Sequence, residues 1–310
     1  MMNKKMKTLS NENARLFGRQ PKPEMLESLV ESQLDFEDHS LREMFSENGY
    51  LYFNKFFDNE SIKALRSRIF SYLIEVDEVR EVADKFIYTG LSNRREKIKD
   101  LGKFWRNISE DWLLRRLTHS RSLHELCDRI LNCRSIAQDY LFLRIYNVGR
   151  QTLTHSDSGF FTRKTPNVIT VWISLGETPL EMGPIFFLEN SHKNEKIIED
   201  LKNFDVAKDK KRKASWDQNP IDIAEMLSCR ILTQNMSVGD IVVFNMNILH
   251  GSFDNINYEG QTRLTCDVRY QPFSDPRDPR YFGPFPSGTT GNGYGELVGA
   301  IPLDEKWHIR

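Results

Sequence analysis

At Ile136 the hydrophobic residues stop following a helical spacing and begin to follow a strand spacing. Upstream, Ile62, Leu65, Ile69 and Leu73 recur at i, i+3, i+7 and i+11 behind Asp58, an N-cap residue type. Further helical patterns run from about Ser109 to Leu117 and from about Ser122 to Leu131, and a short aromatic strand, Gly49–Phe53, precedes them all. Downstream come β-type runs at Tyr140–Tyr146, Asn167–Leu175, Pro184–Leu188, Arg230–Leu232, Asp240–Phe244 and Arg263–Tyr270. Gly149, Gly159, Gly176, Gly183, Gly239 and Gly251 punctuate them at turn positions. Helices first and short strands later predict a mainly β architecture, a barrel or double-sheet roll buttressed by N-terminal helices.

Organisation follows from the same pattern. The chain reads as a single catalytic domain over 1–310, with a helical extension at 1–45, a core at 46–273 and a tail at 274–310. The extension is polar, with a weak helical pattern through Met25, Leu26, Leu29, Val30 and Leu34. An insert at 189–229 interrupts the core and is expected, with the tail, to close over the pocket. The insert's basic run, Lys208–Lys213, reads as a solvated face; the tail's glycines lack the Gly-Lys-Ser/Thr of a phosphate loop.

Charge and cysteine content exclude several functions. Lys and Arg number 43 against 44 Asp and Glu, a formal net charge of −1, which is no footprint for a nucleic-acid binder. Cys127, Cys133, Cys229 and Cys266 make neither a CxxC pair nor a disulfide framework, and fit reduced thiols in a cytoplasmic protein. No run approaches the roughly 18 apolar residues of a membrane span, and the basic N-terminus lacks the apolar stretch of a secretory signal. The partner expected is a small-molecule substrate, with no nucleic acid and no membrane; oligomeric state is left open.

Among the histidines, His39, His119, His124 and His308 read as surface or packing residues, and two others stand apart. His155 opens His155-Ser-Asp157 just after strand-like residues, and in an extended chain residues i and i+2 share a face. His250 follows the run ending at Phe244. Two histidines and one carboxylate are the facial triad of non-haem Fe(II) oxygenases. Arg263 lies 13 residues beyond His250, on the following β-run, with Thr265 on its face. A planar, permanently charged guanidinium beside a hydroxyl suits a buried carboxylate. Arg269 shares that face and is the second candidate for this clamp. An isolated His-x-Asp says little; the ordered set of His-x-Asp, His and then Arg is specific.

Over roughly residues 46–273 the sequence resembles the phytanoyl-CoA dioxygenase family of Fe(II)/2-oxoglutarate-dependent oxygenases. His155-Ser-Asp157 matches the family's HxD motif, and His250-Gly-Ser252 with Arg263 completes the set. Gly183–Lys193 is similar to the family's Gly-Pro…Gly-Ser-His segment, with Asn190 in place of the glycine and His192 in a structural role. The resemblance implies a double-stranded β-helix, the jelly-roll relative of cupins. It implies Fe(II) held by His155, Asp157 and His250, O2 as oxidant, and 2-oxoglutarate as cosubstrate with its distal carboxylate on Arg263. Trp172, Ser252 and Thr265 are placed beside the cosubstrate, plain packing being the alternative for each. Phe160 and Phe161 wall the pocket or the core. The activity implied is hydroxylation, desaturation or cyclisation of a small molecule, with secondary-metabolite biosynthesis as the favoured setting. The rival readings are a cupin-like metal enzyme that does not use 2-oxoglutarate and a non-enzymatic ligand-binding relative.

Overall fold

The strand Arg263–Pro272 shows how the molecule is layered. Its odd-numbered residues, Arg263, Thr265, Asp267, Arg269 and Gln271, are polar, whereas Leu264, Cys266, Val268 and Tyr270 are not, and every one of them is buried. Such alternation ordinarily places the polar face in water. In this protein the computed structural model, which describes residues 12–209 and 211–289, covers both faces.

Five strands form one sheet in the order Tyr50–Phe53, Ile241–Asn245, Ile169–Ser174, Arg263–Pro272 and Ser135–Ala137, with Phe142–Tyr146 also paired to Arg263–Pro272. The second sheet runs Leu26–Glu27, Ile231–Leu232, Ile185–Leu188, His250–Ser252, Thr154–His155 and Ser215–Trp216. Between them Tyr50, Tyr52, Trp172, Val242 and Phe244 of the first sheet pack with Ile185, Phe187 and Leu232 of the second. Two facing, mostly antiparallel sheets are the double-stranded β-helix, or jelly roll, expected from the sequence.

The opposite face of the first sheet carries the helices. Leu51, Val171, Ile173, Val243, Cys266 and Val268 join one core with Ile62, Leu65, Ile69 and Leu73 of the helix Asn59–Glu75 and with Leu123, Leu126 and Ile130 of the helix Arg121–Leu131. Burying each such aliphatic side chain is worth roughly 1.5–3 kcal/mol, which fastens the helices to the sheet. Asp58 caps the first of these helices, accepting from the Ser61 N–H at 2.9 Å.

Several local readings are corrected. Met25–Leu34 is not helical: after a turn at Pro23–Met25, Leu26–Glu27 pairs in parallel with Ile231–Leu232, and the Ser32 N–H donates to Tyr52 O at 2.7 Å. This segment therefore bridges the edges of both sheets, and its apolar residues serve strand pairing. The N-terminal helix is instead Asp38–Asn48, which buries Leu41 alone and so carries little apolar periodicity; it ends where Gly49 adopts φ 76°. The pattern from about Ser109 to Leu117 is the helix Trp112–Thr118, which Asp111 caps by accepting from the Leu113 N–H, and a separate helix, Leu101–Ser109, precedes it.

The described parts of the insert and the tail are tied to the core. Ser215–Trp216 of the insert pairs with Thr154–His155, Asp205 is ion-paired to Arg163, and the Val206 N–H donates to Gly159 O at 3.1 Å. In the tail, Arg280 Nη2 and Tyr281 Oη each donate to Phe160 O at 3.0 Å. Both segments thus hold the short helix Ser158–Phe161 that follows Asp157. The basic N-terminus, Lys210 and the chain beyond 289 lie outside the described residues. The cysteines are free thiols, and among the described residues no helix is long and apolar enough to cross a membrane.

Candidate metal centre

Sheet pairing brings the two histidines together. His155 and His250 face each other across adjacent antiparallel strands, with ring centroids 4.2 Å apart. Each ring is oriented in the same way: His155 Nδ1 lies 2.8 Å from Leu153 O and His250 Nδ1 lies 3.0 Å from Ile248 O. A neutral imidazole that donates through Nδ1 presents the Nε2 lone pair for ligation.

Asp157 arrives differently from the sequence expectation. The strand ends at His155, and Asp157 is the N-cap of Ser158–Phe161 with helical φ and ψ of −74° and −15°. The bend is held by Met246 O, which accepts from Ser156 Oγ at 2.7 Å and from the Ser158 N–H at 2.9 Å. A turn, not strand alternation, therefore places the carboxylate beside the imidazoles. Its Oδ1 lies 3.6 Å from His155 Nε2 and 4.0 Å from His250 Nε2. One ligand atom from each of the three residues lies within 4.8 Å of the others, and all three residues are buried.

These residues fit a divalent iron. Oδ1 is buried and accepts no hydrogen bond among the described residues, while Oδ2 accepts from Thr170 Oγ1 at 2.8 Å and Arg269 Nη2 at 2.9 Å. Leaving a buried carboxylate oxygen unmatched costs free energy that a cation would recover. Protonation states agree. Burial works against ionising Asp157, but Arg269 and the two imidazoles outweigh it and hold the carboxyl well below its usual range. Burial pushes His250 down to about 3, with His155 adding repulsion. At neutral pH Asp157 and His250 are thus already in their metal-binding forms.

Acid stability should report this burial. His250 at about 3 and His119 at about 4, the latter also lowered mainly by burial, lie below their ordinary value of 6.5. The unfolded chain then takes up protons that the folded chain refuses, so stability falls as pH drops from about 6.5 towards about 4. Melting of the metal-free protein should show this decline, and His250→Asn should make it shallower. A melting temperature that stays flat over that window contradicts it.

The remaining sequence-predicted residues are distributed around the triad. Arg263 is fully buried, lies over the Tyr146 ring at 4.3 Å from its centroid, and donates through Nη1 to Gly183 O. Gly183 adopts φ +75°, and a Cβ there would come within 2.3 Å of Phe253 O, so only glycine holds that carbonyl in place. Among the described residues no carboxylate lies within ion-pair distance of Arg263. Arg144 and Arg269, by contrast, are paired: Arg144 with Asp267 at 2.6 Å, Arg269 with Asp157 at 2.9 Å. Burial pulls the Arg263 pKa down to about 10, which leaves it cationic at neutral pH.

Thr265 shares the inward face with Arg263, and its Oγ1 is buried without a hydrogen bond among the described residues. Ser252 accepts from the Thr152 N–H at 2.8 Å, and Thr152 Oγ1 lies 2.9 Å from Tyr146 Oη, beneath Arg263. Trp172 sits within the apolar cluster between the sheets. Phe160 approaches His155 with ring centroids 6.3 Å apart, whereas Phe161 packs against Arg269 and Tyr281. His192 lies over Gly49 and away from the triad, its Nε2 3.2 Å from Ser46 O. Thr170, Tyr146 and the Arg144–Asp267 pair escaped the sequence reading. The available signal for Thr170 was its alternation with Trp172 on one strand face.

Comparison with known proteins agrees with this geometry. The family model Phytanoyl-CoA dioxygenase (PhyH) matches residues 45–262. The rice (Oryza sativa subsp. japonica) protein phytanoyl-CoA dioxygenase 1 is 20% identical over 268 residues, covering 78% of this chain and 89% of that protein. The epimerase SnoN in complex with Fe3+, alpha ketoglutarate and nogalamycin RO matches with a TM-score of 0.55 at 15% identity, over 88% of this chain and 93% of that one. The non-heme alpha ketoglutarate dependent carbocyclase SnoK from nogalamycin biosynthesis matches with a TM-score of 0.55 at 14% identity, over 90% of this chain and 97% of that one. At such identities the two structures speak for the fold. The family model, spanning most of the chain, speaks for more: this chain belongs to the phytanoyl-CoA dioxygenase family and is an Fe(II)- and 2-oxoglutarate-dependent dioxygenase.

Proposed function

We propose that the protein oxidises a C–H bond of a small organic molecule, by hydroxylation or by a desaturation or ring closure, in a biosynthetic setting. His155, Asp157 and His250 hold the iron, and Arg263 with Thr265 receives the distal carboxylate of 2-oxoglutarate. One observation carries the cosubstrate assignment: Arg263 is a fully buried guanidinium with no carboxylate partner among the described residues. A buried cation left unpaired is costly, and a dicarboxylate supplies the missing charge in the geometry a guanidinium prefers.

When bound, the iron couples O2 cleavage to decarboxylation of 2-oxoglutarate, yielding succinate and CO2 and delivering oxidising power to the substrate. The protein's own side chains position and exclude. Leu153 O and Ile248 O orient the imidazoles, Phe160 walls the site beside His155, and Ser252 supports the Thr152–Tyr146 contact beneath Arg263. Trp172 closes the apolar side of the interior. With Asp157 present beside His155 and His250, the protein would supply three ligands of its own to the iron, an arrangement suited to hydroxylation or desaturation rather than halogenation.

The test is product mass after turnover in chloride buffer with iron, 2-oxoglutarate and O2, across candidate biosynthetic substrates. Gain of one oxygen atom or loss of two hydrogens is expected, with succinate formed in step. A chlorinated product would remove Asp157 from the ligand set, and turnover independent of 2-oxoglutarate would remove Arg263 as the cosubstrate clamp.

A further inference from the structure

Asp157 is gripped by one oxygen and free at the other. Oδ2 accepts two hydrogen bonds, from Thr170 Oγ1 at 2.8 Å and Arg269 Nη2 at 2.9 Å, whereas Oδ1 faces the imidazole Nε2 atoms. Arg269 is itself immobilised. It projects inward from Arg263–Pro272, is wholly buried, and its guanidinium carbon lies 4.5 Å from the Phe142 ring centroid and 4.2 Å from that of Phe161. Phe161 belongs to the helix that Asp157 caps, so one guanidinium contacts both the carboxylate and the turn presenting it. Asp267 Oδ2, 3.6 Å from Arg269 Nη2, is held in turn by Arg144 at 2.6 Å.

We propose that Arg269 is a positioning residue of the metal centre: by occupying Oδ2 it makes Asp157 a one-oxygen ligand and keeps open the coordination position that a two-oxygen carboxylate would take. The proposal rests on the reading of His155, Asp157 and His250 as the metal site. A carboxylate can chelate an ion through both oxygens, and partners that occupy the second oxygen disfavour it. Thr170 supplies a neutral donor; Arg269 supplies a charged one, which makes the stronger hold. Partners of this kind behind metal ligands typically control affinity by about 10–100-fold. Arg269 thereby has a role distinct from that of Arg263, although both project from the same strand face.

Co(II) titration of the full-length, metal-free protein tests this, read by calorimetry and by the visible absorption of the bound ion, whose intensity falls as its coordination number rises. Arg269→Gln is expected to weaken Co(II) binding by about 10–100-fold and to lower the absorption per bound ion; Arg269→Lys, which keeps the charge, is expected to recover part of both. If Arg269→Gln only lowers the melting temperature, with affinity and spectrum per folded chain as in the wild type, Arg269 is merely structural and the proposal fails. Should Arg269→Gln not fold, Arg269→Lys decides: binding weaker and a spectrum dimmer than in the wild type support control through Oδ2, and an unchanged titration overturns it. His155→Ala is the separate control. Undiminished Co(II) binding in that variant would overturn the metal site itself and, with it, this role for Arg269.

Discussion

Replacing His155 or His250 by alanine is expected to take Fe(II) content from near one ion per chain to near none in protein purified without oxygen. Each imidazole is one of only three ligand side chains, and each is pre-aimed by a carbonyl two residues upstream, Leu153 O for His155 and Ile248 O for His250. The pair left after truncation would be one imidazole and Asp157, too few ligands to hold iron against water. Neither side chain carries the sheet pairing, which runs through the backbone between Thr154–His155 and His250–Ser252. Folded but iron-free protein, established by circular dichroism and metal analysis, is therefore the outcome. Unchanged iron content in both variants would remove the triad.

Arg263→Ala is expected to raise the 2-oxoglutarate concentration needed for half-maximal succinate formation by about 10–100-fold, the equivalent of losing a charged hydrogen-bond partner worth roughly 1.5–3 kcal/mol. The metal-free, cosubstrate-free protein should suffer little electrostatic penalty, because the cation removed has no carboxylate partner there. Truncating Arg269 should do the reverse, stranding Asp157 in the interior without its guanidinium. The 2-oxoglutarate dependence of the two variants separates them. A steep rise for Arg269→Ala with none for Arg263→Ala would exchange their roles.

The resemblance put Arg263 first and Arg269 second for the clamp, but alternation by itself treats them alike, because both occupy inward positions of one strand. What separates them is non-local: a turn held by Met246 O carries Asp157 to Arg269, whereas Arg263, at the other end of the strand, lies over Tyr146 and donates to Gly183 O. Elements with strong local signals were legible. The helix Asn59–Glu75 is set by its N-cap and its i, i+3, i+7 spacing, and the longer strands by their β-branched and aromatic runs. The residues of the candidate metal centre were legible as an ordered motif, an HxD followed by a later histidine, but not the turn that delivers Asp157 to the imidazoles.

Two-residue strands carried no such signal. Leu26–Glu27 and Ser215–Trp216 are strands only because a partner, Ile231–Leu232 or Thr154–His155, supplies the hydrogen bonds. The helix Asp38–Asn48 was invisible for want of a buried stripe. Most of all, the sequence determined that the strand from Arg263 has one polar and one apolar face, and tertiary structure alone decided that helices cover the apolar face. The polar face is thereby turned between the sheets, where charges cost most in isolation and gain most from a partner.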